Sequence, residues 1–292
     1  MEILGIVPGI CDDTNQPHTR QSGCSVFEGI PDGLYFTDPG GLFDPDIDLF
    51  NTELKDAVYA SGVGRIIPVF GLTAVTQNGG DIATNKEGWG PEMPLRMNAY
   101  REDYIIPTGG ECLYKQLSKL NKRSVRVFRL DQKLNLFGTA VKKDGDLKWR
   151  GFLLNSVYVT PRKETEGQVA ATVLSLFYSV NYENELINKH SVQLSEKTEG
   201  LSGIYLEKGS GAGKAKVRIT CSGEDVTSVY GSKLAVASLY LNDSGTHPTS
   251  VSYANGELTV SPSGKYKISD AETLKNAGIE GYEGENTYTN LA

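Results

Sequence analysis

The sequence contains few of the residues on which many functional classes depend. Its 292 residues include only three His, three Met and two Trp. Three histidines disfavour a histidine-centred enzyme, and two tryptophans are few for a cleft that stacks sugar rings. No stretch approaches the roughly 20 consecutive apolar residues that a membrane-spanning helix needs, so the sequence argues against a membrane protein.

A secretory signal is also missing from the start of the sequence. The residues before Pro8 lack a basic first segment and a long apolar core. We therefore expect folding in a cytoplasm and, because cytoplasmic thiols stay reduced, four reduced cysteines. The alternative is a bridge between the first two; the cysteines are Cys11, Cys24, Cys112 and Cys221.

The sequence also lacks a surplus of positive charge. The chain has 29 Lys and Arg against 36 Asp and Glu, and its formal net charge is −7. Tight binding of duplex DNA requires a basic face that releases counterions, so the acidic balance argues against it. The same balance suits a surface past which DNA moves without binding.

Abundant glycine and tyrosine, 33 and 15 residues, favour a turn-rich, mainly β protein. We predict an extended N-terminal arm over residues 1–50, because Gly and Pro interrupt short apolar runs there. Residues 51–197 are predicted to form a β-sandwich with a flanking α-helix and a long insertion loop at 76–94. Composition turns polar at 195–200, and short strands after it indicate a small C-terminal Ig-like β-sandwich over 198–292.

Several local patterns position elements within these domains. Asn51 is predicted to cap a helix over 51–62, and leucine spacing predicts the flanking helix at 111–121. Two long strands are predicted at 147–160 and 168–182. The second is apolar on both faces, which places it centrally in a sandwich or between subunits. Ser269 and Glu272 predict a capping box for a short C-terminal helix.

Three motifs resemble ligand sites but lack a required residue. The segment 209–214 has Lys208 and Ala215 where a phosphate loop needs Gly and Ser or Thr. Residues 44–48 resemble a calcium loop without its Gly and final Glu. The spacing of Cys11, His18 and Cys24 fits no zinc module. We predict no catalytic, cofactor-binding or metal-binding residue.

Two segments are candidates for contacts between subunits. The first is the insertion loop, because loops of more than about 12–15 residues in compact domains are usually functional; its candidates are Asn78, Gly79, Gly80, Asp81 and Trp89. The second is a basic cluster predicted to meet acidic neighbours across a seam. Its candidates are Lys115, Lys119, Lys122, Arg123 and Arg126, with Arg129 beside them.

The order of these elements resembles the tail-tube (major tail) proteins of bacteriophages. A strand, a long polar hairpin, a strand, one amphipathic helix and long paired strands follow one another over residues 50–195. The resemblance implies a virion structural protein whose subunits form rings, usually hexameric, that stack through the loop and the arm. Strands 147–160 and 168–182 would then line a lumen with surplus carboxylates.

The resemblance also implies the partners: copies of the chain itself, other virion proteins, and DNA in passage without specific binding. It implies no membrane partner, no chemical step, and assembly in a bacterial host cytoplasm. A capsid-decorating protein or a tail adaptor shares much of this layout. Two further classes stay open: a carbohydrate-binding adhesin, which requires Tyr205, Tyr230, Tyr240 and Tyr253 to cluster at the surface, and a hydrolase with a carboxylate pair.

Overall fold

The computed structural model describes residues 28–45, 47–85, 88–90 and 93–292. The fold is mainly β, with 44% strand and 17% helix, and this confirms the predicted sandwich-like class. The described residues divide into two compact units, 28–57 with 62–198 and 58–61 with 199–292. The later boundary lies where the composition of the sequence becomes polar.

Antiparallel strands and three short helices make up residues 31–193. The strands are β1 (Pro31–Thr37), β2 (Ile66–Phe70), β3 (Ala74–Asn78), β4 (Ile82–Asn85), β5 (Met93–Met97), β6 (Arg101–Ile106), β7 (Val125–Asp131), β8 (Asn135–Lys143), β9 (Asp146–Arg150), β10 (Phe152–Arg162), β11 (Ala171–Tyr178) and β12 (Lys189–Gln193). The helices are α1 (Ile47–Tyr59), α2 (Gly110–Leu117) and α3 (Tyr182–Ile187). A 3-10 turn, Ser118–Leu120, extends α2 to the predicted length.

The main sheet of the first unit curls back toward itself. Its strands follow the path β2-β1-β7-β10-β11-β6-β3. Although β2 and β3 end this path on opposite sides, only residues 71–73 join them. The four Cα–Cα steps from Phe70 to Ala74 span at most about 14 Å, so the end of β2 lies close to the start of β3.

Strand β7 is the branch point of the unit. One edge pairs with β1, while the other pairs with β10 at its start and with β8 near its end. Gly151 stands where the chain passes from β9 to β10, and a Cβ there would lie 2.7 Å from the Val127 backbone. The predicted single strand 147–160 is therefore wrong, because this close crossing divides it in two.

The curled sheet encloses the main hydrophobic core. Alternate residues of β10 and β11, including Val157, Leu174 and Leu176, point into it and are buried. Leu117 and Leu120 of the helical segment close the core over these strands. On the other side of β7, a second cluster of aromatic rings packs together; it contains Phe43, Phe50, Phe128 and Trp149.

The described part of the predicted N-terminal arm is integral to the sheet. Residues 31–37 form β1, and Leu34, Tyr35 and Phe36 are buried, so the prediction of an extended arm is wrong for this segment. Residues 1–27 lie outside the described part of the chain. Helix α1 begins at Ile47, and Asn51 lies inside the helix rather than at its cap.

The second unit contains two sheets around a separate core. The larger sheet has the order β16 (Ser250–Ala254), β17 (Glu257–Ser261), β14 (Lys214–Ile219), β13 (Ser202–Lys208) and β19 (Tyr282–Gly284). The smaller has the order β15 (Tyr240–Asn242), β18 (Lys265–Ile268) and β20 (Thr289–Asn290). Strands β13 and β19 are parallel, whereas the other pairs are antiparallel.

Two helical details of this unit differ from prediction. Helix α4 (Thr227–Leu234) and a 3-10 turn occupy the region before β15, where the sequence predicted only short strands. Helix α5 (Ala271–Asn276) is capped by Asp270, whose side chain accepts a hydrogen bond from the Thr273 N–H. The predicted Ser269 cap is therefore wrong by one residue.

Candidate assembly surface

The outer face of the curled sheet holds an open groove of about 530 Å³. Alternation along β6, β10 and β11 sends one set of side chains into the core and the other into this groove, to which the exposed strand β3 adds Thr76. The lining residues are Thr76, Arg101, Asp103, Ile105, Tyr158, Thr160, Arg162, Val173, Ser175 and Phe177. Because β11 is buried on one face and half-exposed on the other, its apolar outer residues are available for contacts.

A hydrogen-bonded carboxylate forms the polar centre of the groove. Asp103 accepts from the Arg101 Nε at 2.9 Å and from the Asn78 amide at 3.2 Å. The Ser175 hydroxyl, on the neighbouring strand, also donates to it. These partners satisfy the carboxylate and fix the Arg101 guanidinium against the sheet.

Aromatic rings border this polar centre. The Phe177 ring lies 5.0 Å beneath the Arg101 guanidinium carbon and packs edge-on against Tyr158 at 5.6 Å. Tyr158 is 40% exposed. Arg162 donates to the Val169 carbonyl at 3.1 Å, which holds a second guanidinium at the groove. Polar and apolar contacts are thus combined on one open face.

The groove does not carry the surplus of carboxylates predicted for a tube lumen. Its lining has two guanidinium groups, Arg101 and Arg162, and one carboxylate, Asp103. The two segments predicted to line a lumen form β9 with β10 and β11, and the groove face of β10 and β11 is mixed in polarity and weakly basic. The acidic surplus of the chain therefore lies elsewhere than on this face.

Strand β3 borders the groove and ends the sheet path. All five of its residues are exposed, and within the described residues only β6 pairs with it. An unpaired edge is a template for another strand, and proteins usually protect it with Lys, Pro or a covering segment. The sequence of β3, Ala-Val-Thr-Gln-Asn, contains neither Lys nor Pro.

The predicted insertion loop is a second hairpin built on the β3–β6 pair. Strands β4 and β5 pair with each other, and Asp81 lies at the base of the hairpin, where the Asn98 N–H donates to its carbonyl. Gly79 and Gly80 join β3 to β4 with φ of +79° and +77°. A Cβ on Gly79 would lie 2.0 Å from the Ala99 carbonyl oxygen, so this junction requires glycine. Trp89 is fully exposed.

The predicted basic seam divides into exposed and buried residues. Lys115, Lys119, Lys122 and Arg123 are exposed on and after α2. Arg126 is buried, because it belongs to β7, and its guanidinium pairs with the Glu185 carboxylate at 3.0 Å. Arg126 is therefore not part of a surface seam, and neither is Arg129.

Arg129 lies at the centre of a buried polar cluster that the sequence analysis missed. Its Nη1 donates to Glu102 at 2.9 Å and to the Tyr182 hydroxyl at 2.6 Å, while Nη2 donates to Glu28 at 2.7 Å. The Tyr178 hydroxyl donates to Glu102 at 2.5 Å. The sequence did contain a signal for this burial. Side chains alternate along β7, so Arg129 lies on the same core-facing side of the strand as Val127.

Burial and the neighbouring charges control the protonation of this cluster. Burial raises the pKa of the Tyr178 and Tyr182 phenols, so both remain neutral; Tyr178 donates to Glu102 and Tyr182 accepts from Arg129. Burial alone would lower the pKa of Arg129, but Tyr178 and Glu102 raise it well above its ordinary value. The cluster is buried in the core, and its hydrogen bonds and ion pairs connect neighbouring strands and so stabilise the sheet.

The two cysteines in the described residues differ from the expectation of reduced thiols. Cys112 and Cys221 are both disulfide-bonded. Cys11 and Cys24 lie outside the described residues.

His18, which with these two cysteines was compared with the spacing of zinc modules, also lies outside the described residues. Within the described ranges, no group of three or more His, Cys, Asp or Glu side chains is arranged to hold a metal ion.

The tyrosine patch required by an adhesin does not form in the second unit. Tyr240 is fully buried, and its hydroxyl donates to the Leu234 carbonyl at 2.8 Å. Tyr205 lies on the face of β13 opposite to the buried Ile204 and Leu206. Tyr253, in contrast, shares the core-side face with Val251, which packs on the core. Tyr253 is 37% exposed, whereas Tyr230 is partly buried against the core and Tyr240 fully buried, so the four tyrosines do not form one exposed patch.

Comparisons with known proteins identify no family. The chain matches no protein-family model and no curated protein. None of the helices in the described part of the chain is long and apolar enough to cross a bilayer.

Proposed function

We propose that the protein is a structural component that assembles with copies of itself, and that its first unit is the assembly module. The observation that carries this proposal is strand β3, a fully exposed edge that continues into a hairpin with an exposed Trp89. An edge of this kind is completed by a strand or segment from another chain. Assembly and not catalysis is the proposed activity.

The sequence resemblance gives this assembly its proposed setting. A ring of subunits in a phage tail tube, or a related head–tail component of the virion, removes free sheet edges by closure. The mixed groove gives no reason to assign DNA contact to β10 and β11. The proposal for DNA is therefore limited to passage without binding, and it depends on the resemblance and on the acidic charge.

Size measurement over a concentration series tests the assembly. We expect the wild-type chain to form oligomers in light scattering and closed rings under negative-stain microscopy. The double variant Val75→Lys with Gln77→Lys places two charges on the β3 edge, on the side of the strand opposite to Thr76 and the groove. It should raise the concentration needed for assembly roughly tenfold or more, because lysine on an edge opposes strand addition.

A matched control separates this effect from added charge alone. Val229→Lys with Ser228→Lys changes exposed residues of α4 in the second unit and should leave assembly unchanged. A wild-type chain that remains monomeric at high concentration would refute the proposed function. Binding of the monomer to a glycan array would instead favour the adhesin.

A further inference from the structure

The hairpin of the first unit ends in an apolar tip with no cover from the described residues. Trp89 is fully exposed, and Met93, the β5 residue nearest the tip, is 54% exposed; Ile82, next to the base of the hairpin, is 59% exposed. Strands β4 and β5 form a sheet of their own, and a lone two-stranded hairpin is marginally stable in water. A large indole at such a tip gains most when it is buried, since aromatic side chains bury about 150–250 Å².

The groove on the sheet has the size and chemistry to receive that indole. Its volume of about 530 Å³ lies within the range of sites that enclose small organic groups. Tyr158 and Phe177 offer aromatic surface, and the Arg101 and Arg162 guanidinium groups lie beside them. Arginine over an indole face is a favourable cation–π arrangement.

The charges of the two surfaces are complementary. The groove has two guanidinium groups for one carboxylate. The hairpin sequence from 81 to 97 contains three acidic residues, Asp81, Glu87 and Glu92, against two basic residues, Lys86 and Arg96, a net charge of −1. Attraction between these charges favours docking of the tip over the groove and weakens with added salt.

The base of the hairpin is at one end of the groove. Asn78 and Arg101 pair at the end of the β3–β6 ladder, and both contact the central Asp103. Beyond this pair the chain continues into the hairpin, and Trp89 is exposed rather than folded back onto its own sheet. The groove is therefore open to the tip of another molecule.

We propose that Trp89 of one copy inserts into the groove of a second copy. The inference rests on the proposed function and specifies the contact that performs it. Because the tip and the groove are different patches of one chain, the contact is head-to-tail and leaves a free tip and a free groove at the two ends. Repetition of this contact produces a closed ring or a continuing filament.

A complementation experiment tests this head-to-tail contact. Trp89→Ala removes the inserted side chain, and Thr160→Glu puts a carboxylate in the middle of the groove against an acidic tip. Each variant alone should need a roughly tenfold or higher concentration to assemble, because a buried Trp commonly dominates an interface. Mixed together, the two should form a one-to-one dimer, since one retains the tip and the other retains the groove.

Controls and a second readout make the outcomes distinct. Val180→Glu adds the same charge at an exposed site outside the groove and should assemble like wild type. Trp149 is fully buried, so a blue shift of tryptophan emission with concentration reports burial of Trp89. Circular dichroism confirms that each variant is folded.

Two results would overturn the inference. If Trp89→Ala assembles like wild type, the contact is wrong while the proposed function stands. If the mixture of the two variants stays monomeric under conditions where wild type assembles, the head-to-tail geometry is wrong. A monomeric wild type at every concentration refutes the proposed function and this inference together.

Discussion

At the scale of single residues, the buried Arg129 cluster shows how much one charge depends on its surroundings. A charged side chain in a protein core is costly unless charges and hydrogen bonds compensate it. Arg129 has two carboxylate partners and donates to two phenols. Its guanidinium also lies 4.5 Å from the Phe152 ring centroid. The cluster therefore ties β7, β6 and β11 to the segment at residue 28.

Loss of the Glu102 carboxylate should destabilise the first unit strongly. We expect Glu102→Gln to lower the free energy of unfolding by about 3 kcal/mol, because it removes one of the two carboxylates that compensate the buried Arg129 charge and leaves only Glu28. Urea denaturation measures the change. Glu111→Gln, which breaks an exposed pair with Lys115, is the control and should change stability by less than about 0.5 kcal/mol.

A double variant makes this prediction specific to the pair. Arg129→Met combined with Glu102→Gln should cost less than the sum of the two single changes, since neither charge is then left alone. Additive costs would contradict the assigned pairing.

His190 should make stability depend on pH. Burial lowers its pKa from 6.5 to about 4, and no hydrogen-bond partner for its Nε2 occurs among the described residues. The unfolded chain therefore binds the proton first, so stability is full above pH 6.5 and falls as the pH drops toward 4. The loss attributable to this group is about 3 kcal/mol.

Replacement of the imidazole isolates this contribution. His190→Leu should show a shallower fall in unfolding free energy between pH 6.5 and 4 than wild type, in denaturation series at several pH values. Identical slopes for the two proteins would show that His190 is not responsible.

At the scale of elements, sequence patterns predicted helices and hairpins correctly where residues close together in the chain determine the structure. The leucines of the segment 111–121 predicted α2 and its 3-10 extension, and the polar stretch 76–94 predicted a hairpin excursion. Both depend on residues close together in sequence. The open groove itself was not predicted, because its residues come from four strands that register brings together.

The errors occurred where distant chain segments decide the local structure. Residues 31–37 contain Pro and Gly and appear irregular, but pairing with β2 and β7 on both sides makes them a strand. Arg126 appears to be a surface charge until Glu185 of α3 is brought against it. Helix α3 was not predicted, and the strand predicted over 168–182 runs four residues past the end of β11 to the first residue of α3, because the apolar run there continues without a clear break.

The hairpin should be separable from the stability of the fold. Replacement of residues 80–99 by Asn-Gly would join β3 to β6 through a tight two-residue turn of favoured type. We expect the unfolding midpoint in urea to remain close to that of wild type, since the hairpin strands pair only with each other. Assembly, measured by light scattering, should be lost.

The corresponding control changes another turn of the same unit. Insertion of Gly-Ser at the β8–β9 turn, between Asp144 and Gly145, leaves the hairpin and the groove intact and should preserve assembly. A shortened hairpin variant that still assembles would contradict the role given to this element.

At the scale of the whole molecule, the disulfides bear on where the chain folds and functions. Bridges persist in oxidising surroundings and are rare among proteins kept in a reducing cytoplasm. Cys112 and Cys221 belong to different units, and each is disulfide-bonded. Both units are therefore expected to respond to reduction.

Alkylation of the native protein tests the state of these thiols. We expect iodoacetamide to leave Cys112 and Cys221 unlabelled until a reductant is added, in peptide mapping by mass spectrometry. Reduction should then lower the unfolding free energy by about 2–4 kcal/mol for each bridge that is lost. Labelling of either cysteine without reductant would contradict the assignment.

The glycine junction at Gly79 and Gly80 has a consequence for how such proteins diverge. The backbone there sets the direction of the hairpin, and the ladders on either side of it fix its reach, so the tip contributes little to folding. Mutations at the tip are then tolerated by the fold while they alter what the tip recognises. Under the proposed tip-to-groove contact, residues 81–92 should vary fastest among homologues and should change in step with Tyr158, Thr160 and Arg162, so that each lineage assembles with its own kind and excludes others.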